Sequence, residues 1–323
     1  MDSQKHLFIL LCLSLVPVLL LGQMDMQVEA TRHLNHPSKK LFVFGDSYVD
    51  TGNTIKPISG SWRAPYGITF PRKPSGRFSD GIVLTDFLAK YLGLRSPIIH
   101  KLWYNNIVPE HDLKYGMNFA YGGTDITNSI AYVSVAGNDY YDYMAIDGSL
   151  SGFPSFIESV IKQTTTNLIH LQSLGFKRIV VGDLQPLGCL PQATAQNSFQ
   201  SCNSTFNDLV ALRNNLMKQS ITKLNQETKD HTTFTILGLF DSFRSVLNHP
   251  SSHNIKERLK PCCIGVSDEY TYGSVDSEHT TNKYLVCENL ESTFFWDQLH
   301  PTQAGWNDVY NELEKRGLHQ ILY

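Results

Sequence analysis

The sequence is short of most signals that would narrow function by composition alone. Its 27 Lys and Arg against 30 Asp and Glu leave a formal net charge of -3, with the basic residues scattered rather than striped. That excludes the electrostatic footprint of a nucleic-acid binder. Six cysteines and 12 histidines include no CxxC pair and no His at finger spacing, so the ligand patterns of structural zinc are missing. A GxGxxG or Walker-type glycine loop is missing too, which removes the phosphate cradle of a nucleotide-binding α/β protein. Internal repeats and linker-like stretches are absent. With 41% hydrophobic and 18% charged residues, the 323-residue chain has an ordinary globular balance.

One long apolar run is present, Leu7 to Leu21, preceded by Lys5 and followed by polar Gln23 and Asp25. Pro17 interrupts it, and it falls short of the ~20 residues a spanning helix needs. Residues 1–22 therefore read as a secretory signal peptide cleaved near Gly22 or, alternatively, after Ala30. Residues 23–38 are a polar leader and 39–320 one folded domain. The expectation is a secreted, extracellular protein with no stable membrane anchor after cleavage. Cys12 leaves with the signal peptide, and the remaining five cysteines all lie in the C-terminal half, where an oxidising compartment favours pairing. Asn203, in Asn-Ser-Thr, is an N-glycosylation acceptor whose meaning depends on export.

Periodicity predicts short apolar strands at Leu41–Phe44, Tyr115–Ala120, Ile130–Ala136, Arg178–Val181 and Thr233–Leu239. Helical spacing covers 79–93, opened by Ser79-Asp80 as a cap, and then 154–175, 204–229 and 302–316. Alternation of this kind predicts a three-layer α/β/α domain around a parallel sheet. Functional residues then belong at the carboxyl ends of strands, where Asp46-Ser47, Gly137-Asn138 and Gly182-Asp183 fall. One connection is too short. Parallel neighbours need a crossover of about a dozen residues or more, whereas only Thr124 to Ser129 separate the Gly122-Gly123 turn from the strand at Ile130. Either the second strand is misplaced or one crossover helix is lacking between Gly123 and Ile130.

A serine hydroxyl becomes a nucleophile when a neighbouring base takes its proton and a third group orients that base. Ser47, in Gly45-Asp-Ser47 after the first strand, is placed for this, although those three residues alone read more readily as a turn and helix cap. Asp297 and His300, three apart between Phe294-Phe295-Trp296 and Pro301, can share one loop and supply base and orienter. Acyl transfer also needs donors for an oxyanion, and Gly122 and Asn138 each follow a predicted strand.

Taken in order, the Ser47 block, Asn118-Phe-Ala-Tyr-Gly-Gly123, Gly137-Asn-Asp139 and Asp297-Gln-Leu-His300 resemble the plant branch of the GDSL esterase/lipase family, within the SGNH hydrolases. Pro74–Gly81, Gln185–Pro191 and Phe295–Thr302 extend the resemblance over about residues 40 to 316. It implies a flavodoxin-like sheet and ester hydrolysis through an acyl-enzyme, with no cofactor and no metal. Ser47, Asp297 and His300 would be catalytic, and Ser47, Gly122 and Asn138 would form the oxyanion hole. The substrate would be a small-molecule ester or one linked to lipid or polysaccharide. Tyr48 stands in place of the leucine in the family's name. The few dozen residues usual between the Gly and Asn blocks are missing, which also leaves open a catalytically inactive binding protein of the same fold. Cys189–Cys202 is the expected bridge. Cys287 would pair with Cys262 or Cys263, Cys263 being the chosen partner, and Tyr272 stands where a further cysteine is common.

Overall fold

The computed structural model describes residues 40–323 except 55, 57–58, 106, 121–128, 136, 146–148, 150, 229–232, 250–253, 268–273 and 276–280. The predicted signal peptide, the leader and Tyr272 lie outside the described residues. Six strands form one sheet: β1 (Lys40–Gly45), β2 (Ile98–Ile99), β3 (Gly116–Asn118), β4 (Ser129–Ser134), β5 (Arg178–Gly182) and β6 (Thr233–Leu237). Their order is β2-β3-β1-β4-β5-β6 and every pairing is parallel. Leu41, Val43, Ile179 and Val180 are fully buried, as the central strands of a sheet covered on both faces must be.

The longer helices are α1 (Leu84–Tyr91), α2 (Gly137–Ala145), α3 (Phe153–Ser173), α4 (Ser204–Glu227), α5 (Leu239–Asn248) and α6 (Gln303–Lys315). Helix α3 packs on α4, and α6 packs on both α1 and α5, so the helices form two layers around the sheet. This is the expected three-layer α/β/α architecture. No described helix is long and apolar enough to cross a membrane.

Three predicted segments shift. The strand expected to reach Ala136 stops at Ser134, and Gly137-Asn138 opens helix α2 instead of closing a turn. Thr233–Leu239 divides into a strand and the start of α5. Ser79-Asp80 does not cap α1. That helix begins at Leu84, and its open N-terminus is served by Asp86, which accepts from the Val83 N–H at 2.9 Å.

The short connection is real in the topology. β3 and β4 pair with opposite edges of β1 and are separated in sequence by residues 119–128. Of these, 121–128 lie outside the described residues, and Gly122 with them.

Cys189 is bridged to Cys202, with Cα atoms 4.3 Å apart. The second bridge joins Cys287 to Cys262, not to Cys263. The reason is register. After β7 (Glu257–Pro261), strands β8 (Cys263–Gly265) and β9 (Tyr284–Val286) are antiparallel with Cys263 opposite Val286, so the next pair outward is Cys262 with Cys287. Successive residues of an extended chain face opposite sides, which turns Cys263 away from the bridge.

Asp86 joins several elements at once. It accepts a two-pronged contact from Arg77 (Nε at 2.9 Å, Nη2 at 2.8 Å) and the Ser96 hydroxyl at 2.6 Å, besides capping α1. Burial works to raise its carboxyl, but Arg77, Ser96 and the Val83 N–H outweigh that and hold it below the usual carboxylate range. A lowered carboxyl stabilises the fold fully above the range in which the unfolded group titrates, and that contribution is lost as pH falls through the folded value. Asp86→Ala should cost about 3 kcal/mol, because it strands the largely buried Arg77 guanidinium. Urea unfolding at pH 7 checks this, and the gap between variant and parent should narrow on acidification. An equal gap at acid pH would count against the ion-pair account.

Candidate active site

Strand β1 ends at Gly45, where an added Cβ would come within 2.3 Å of the Ser134 carbonyl oxygen on β4. Only glycine lets the two strands approach so closely before the chain turns. The turn is held by the Tyr48 N–H on the Asp46 carboxylate (3.1 Å) and by Val49 and Asp50 N–H groups on the Asp46 carbonyl. Asp50 fixes the next stretch, its Oδ1 accepting from the Gly52 and Asn53 N–H groups, each at 2.7 Å. Asn118, at the end of β3 and fully buried, donates to the Val49 carbonyl at 2.7 Å and to Thr51 Oγ1 at 3.0 Å. These contacts present Ser47 at the carboxyl edge of the sheet.

The opposing loop follows β10 (Thr293–Phe295). Its two ends are tied by the Trp296 N–H on the His300 carbonyl (2.7 Å) and the Thr302 N–H on the Phe294 carbonyl (2.9 Å). Thr302 then caps α6 through its hydroxyl, which accepts from the Gly305 N–H at 2.9 Å. Ser79 and Asp80 fasten this loop rather than a helix: the Ser79 hydroxyl donates to the Pro301 carbonyl, and Asp80 accepts from the Gln303 N–H at 2.7 Å.

The two predicted elements meet. Ser47 Oγ lies 2.7 Å from His300 Nε2, and His300 Nδ1 lies 2.9 Å from both oxygens of Asp297. Asp297 is fully buried and His300 is 4% exposed. Burial works to raise the Asp297 carboxyl, but the charge and hydrogen bond of His300, the Tyr66 hydroxyl and the Leu299 N–H outweigh it and hold Asp297 below its ordinary value. The imidazole is gripped between the Tyr48 ring, 5.4 Å away, and the Phe78 ring, 5.0 Å away. The Tyr48 hydroxyl donates to the Leu299 carbonyl at 2.5 Å, so the tyrosine that departs from the family's leucine clamps the histidine loop.

Asn138 is exposed near the N-terminus of α2 and lines the small cavity that contains Ser47 and His300. The cavity is walled by Tyr141, Leu184, Leu187, Leu190 and Leu299. Asp183, at the carboxyl end of β5, also lines it. Burial pushes its carboxyl up to about 7, while one oxygen accepts from the Phe240 N–H at 2.8 Å. The sequence places Asp183 at a strand end but carries no signal of this proton. Tyr66, whose hydroxyl donates to Asp297 at 2.7 Å, is likewise unmarked in the sequence.

The exposed residue Asn203, the glycosylation candidate, caps α4 through its side-chain oxygen, which accepts from the Phe206 N–H at 3.0 Å.

Comparison with known proteins bears on this geometry. Residues 41–313 match the model of the GDSL-like Lipase/Acylhydrolase family. One GDSL esterase/lipase of Arabidopsis thaliana is 47% identical, the match covering 98% of each chain. A second from that plant is 43% identical over 85% of this chain and 87% of its own, and a third is 38% identical over 87% and 91%. The first alignment runs over 355 positions, so at least 32 of them (355 less this chain's 323) have no residue here. A chain with this parallel sheet, these matches and this Ser47–His300–Asp297 geometry belongs to the GDSL-like lipase/acylhydrolase family and is a carboxylic ester hydrolase.

Proposed function

We propose that this chain is a secreted serine esterase that cleaves carboxylic esters through an acyl-enzyme on Ser47. The observation that carries the proposal is the unbroken line of hydrogen-bond distances from Ser47 Oγ through the imidazole of His300 to Asp297. In the forward step His300 Nε2 takes the Ser47 proton as Oγ bonds to the ester carbonyl carbon. The oxyanion is stabilised by the Ser47 N–H, the Gly122 N–H and the Asn138 side-chain amide. The carbonyl then re-forms, the bond to the alkoxy oxygen breaks, and the leaving alcohol carries away the proton held by His300. Water repeats the sequence, giving its proton to His300 and its oxygen to the acyl carbon, and the acid departs as Ser47 recovers its hydrogen. Asp297 keeps the Nδ1 proton in place, so that Nε2 faces the serine with a lone pair.

The same proposal takes residues 1–22 as a signal peptide, 23–38 as a leader, 39–320 as the hydrolase domain and Asn203 as a glycan acceptor. It assigns small-molecule, lipid-linked or polysaccharide-linked esters as substrates. The two disulfides, Cys189–Cys202 and Cys262–Cys287, and the exposed Asn203 support export.

A fluorescent fluorophosphonate tests the chemistry, since Oγ–P bond formation with loss of fluoride needs only an activated serine. Protein made through a secretory route should label at one site, mapped to Ser47 by peptide mass spectrometry, and hydrolyse a chromogenic ester. A soluble, folded protein that neither labels nor turns over would overturn the acyl-enzyme reading.

A further inference from the structure

We propose that Tyr66 is a positioning residue for the hydrolytic reaction, setting through Asp297 how tightly His300 holds its proton. The inference rests on the acyl-enzyme reading above. Tyr66 is fully buried, and its hydroxyl donates to Asp297 Oδ2 at 2.7 Å. The other carboxylate oxygen, Oδ1, already accepts from the Leu299 and His300 N–H groups, each at 2.8 Å. Among the described residues, Tyr66 is therefore the one side-chain hydroxyl placed against the oxygen that otherwise faces the imidazole.

The phenol is built to stay there. Its ring meets Phe78 edge-on at 6.2 Å and Trp296 at 5.9 Å, and Phe78 in turn lies against the His300 ring. The backbone is pinned on both sides, by the Tyr66 N–H on the Arg63 carbonyl and the Gly67 N–H on the Ser79 carbonyl, each at 3.1 Å. Gly67 has φ +72, a left-handed conformation that a side chain would strain, and its Cβ would meet the Lys73 carbonyl oxygen at 2.2 Å. The loop thus delivers one hydroxyl to one oxygen with little freedom to move.

A hydrogen bond to a charged acceptor is stronger than one between neutral groups, and it draws negative charge away from the carboxylate. Without the phenol, the full charge of Asp297 would bear on the imidazolium and hold its proton more tightly. The groups around the imidazole are Ser47, Asp297, the Tyr48 and Phe78 rings and, through space, Asp46, with Asp183 lining the same cavity. Tyr66→Phe leaves all of them in place.

The test is the pH dependence of kcat/KM for a chromogenic ester, measured on the full exported chain. In Tyr66→Phe the acid limb should move to higher pH by about half a unit, with kcat/KM at the optimum down about tenfold. Replacement of Tyr66 by 3-fluorotyrosine, a stronger donor of nearly the same size, should move the limb to lower pH. This second variant decides the matter if the phenylalanine variant does not fold. A purely structural tyrosine would lower thermal stability or the fraction labelled by fluorophosphonate and leave the limb where it is. An unmoved limb, or one that moves the same way in both variants while the parent is active, overturns the role of Tyr66 alone. A parent that neither labels nor turns over overturns the acyl-enzyme reading itself.

Discussion

Ser47→Ala should lower ester turnover by about a millionfold while the protein folds and binds substrate as before. The size of the loss follows from the step removed. Ser47 Oγ sits 2.7 Å from the imidazole that would take its proton, and an alanine methyl offers nothing to acylate. Water in its place would have to be oriented and activated afresh, so the effective-concentration advantage of a held nucleophile disappears. Some acceleration over water should remain, because the oxyanion donors and the binding cavity are untouched. Stability should stay within about 0.5 kcal/mol of the parent, since Ser47 is only part-buried and its hydroxyl serves no packing role. Initial rates on a chromogenic ester, with urea unfolding as the control, read both effects. Residual turnover within tenfold of the parent would mean that another group carries the hydrolysis.

What could be read from the chain, and what could not, divides along physical lines. Ser47, Asp297 and His300 stand out because reactive side chains sit in short, unusual sequences at strand ends, and a loop holding Asp and His three apart can pair them whatever surrounds it. The parallel sheet is legible because buried strands such as Arg178–Gly182 are nearly continuous apolar runs. Helix α2 escaped notice because Gly137-Asn138 favours a turn locally, and the tertiary packing of Tyr140 on Phe153 overrides that preference. The choice between Cys262 and Cys263 needed the β8–β9 register, which no spacing along the chain encodes. Ser79 and Asp80 have the chemistry of a helix cap, and they spend it on the Pro301 carbonyl and the Gln303 N–H, more than 200 residues away. Tyr66 was invisible for a similar reason: a buried tyrosine in a loop has no periodicity, and its partner is 231 residues distant.

The second large effect is expected for Asp297→Asn, a loss of about ten-thousandfold in kcat with the loop still formed. The isosteric amide has two ways to sit. With its oxygen at the Oδ1 position it keeps the Leu299 and His300 N–H bonds, both 2.8 Å in the parent. The NH2 group then faces the Tyr66 hydroxyl and His300 Nδ1, and Nδ1 can only accept from it. The ring proton moves to Nε2, where it points at Ser47 Oγ and no lone pair remains to receive the serine proton. With the amide reversed, Nδ1 keeps its proton, but the NH2 group confronts two backbone N–H donors at a fully buried position. Unsatisfied buried donors cost about 1 to 3 kcal/mol each, so the first arrangement should prevail. Fluorophosphonate labelling should slow along with turnover, because both need the same proton transfer, and thermal unfolding should confirm an intact fold. An Asn variant that labels and turns over within tenfold of the parent would show that the imidazole keeps its tautomer without the carboxylate, and Asp297 would then be a packing residue of the loop.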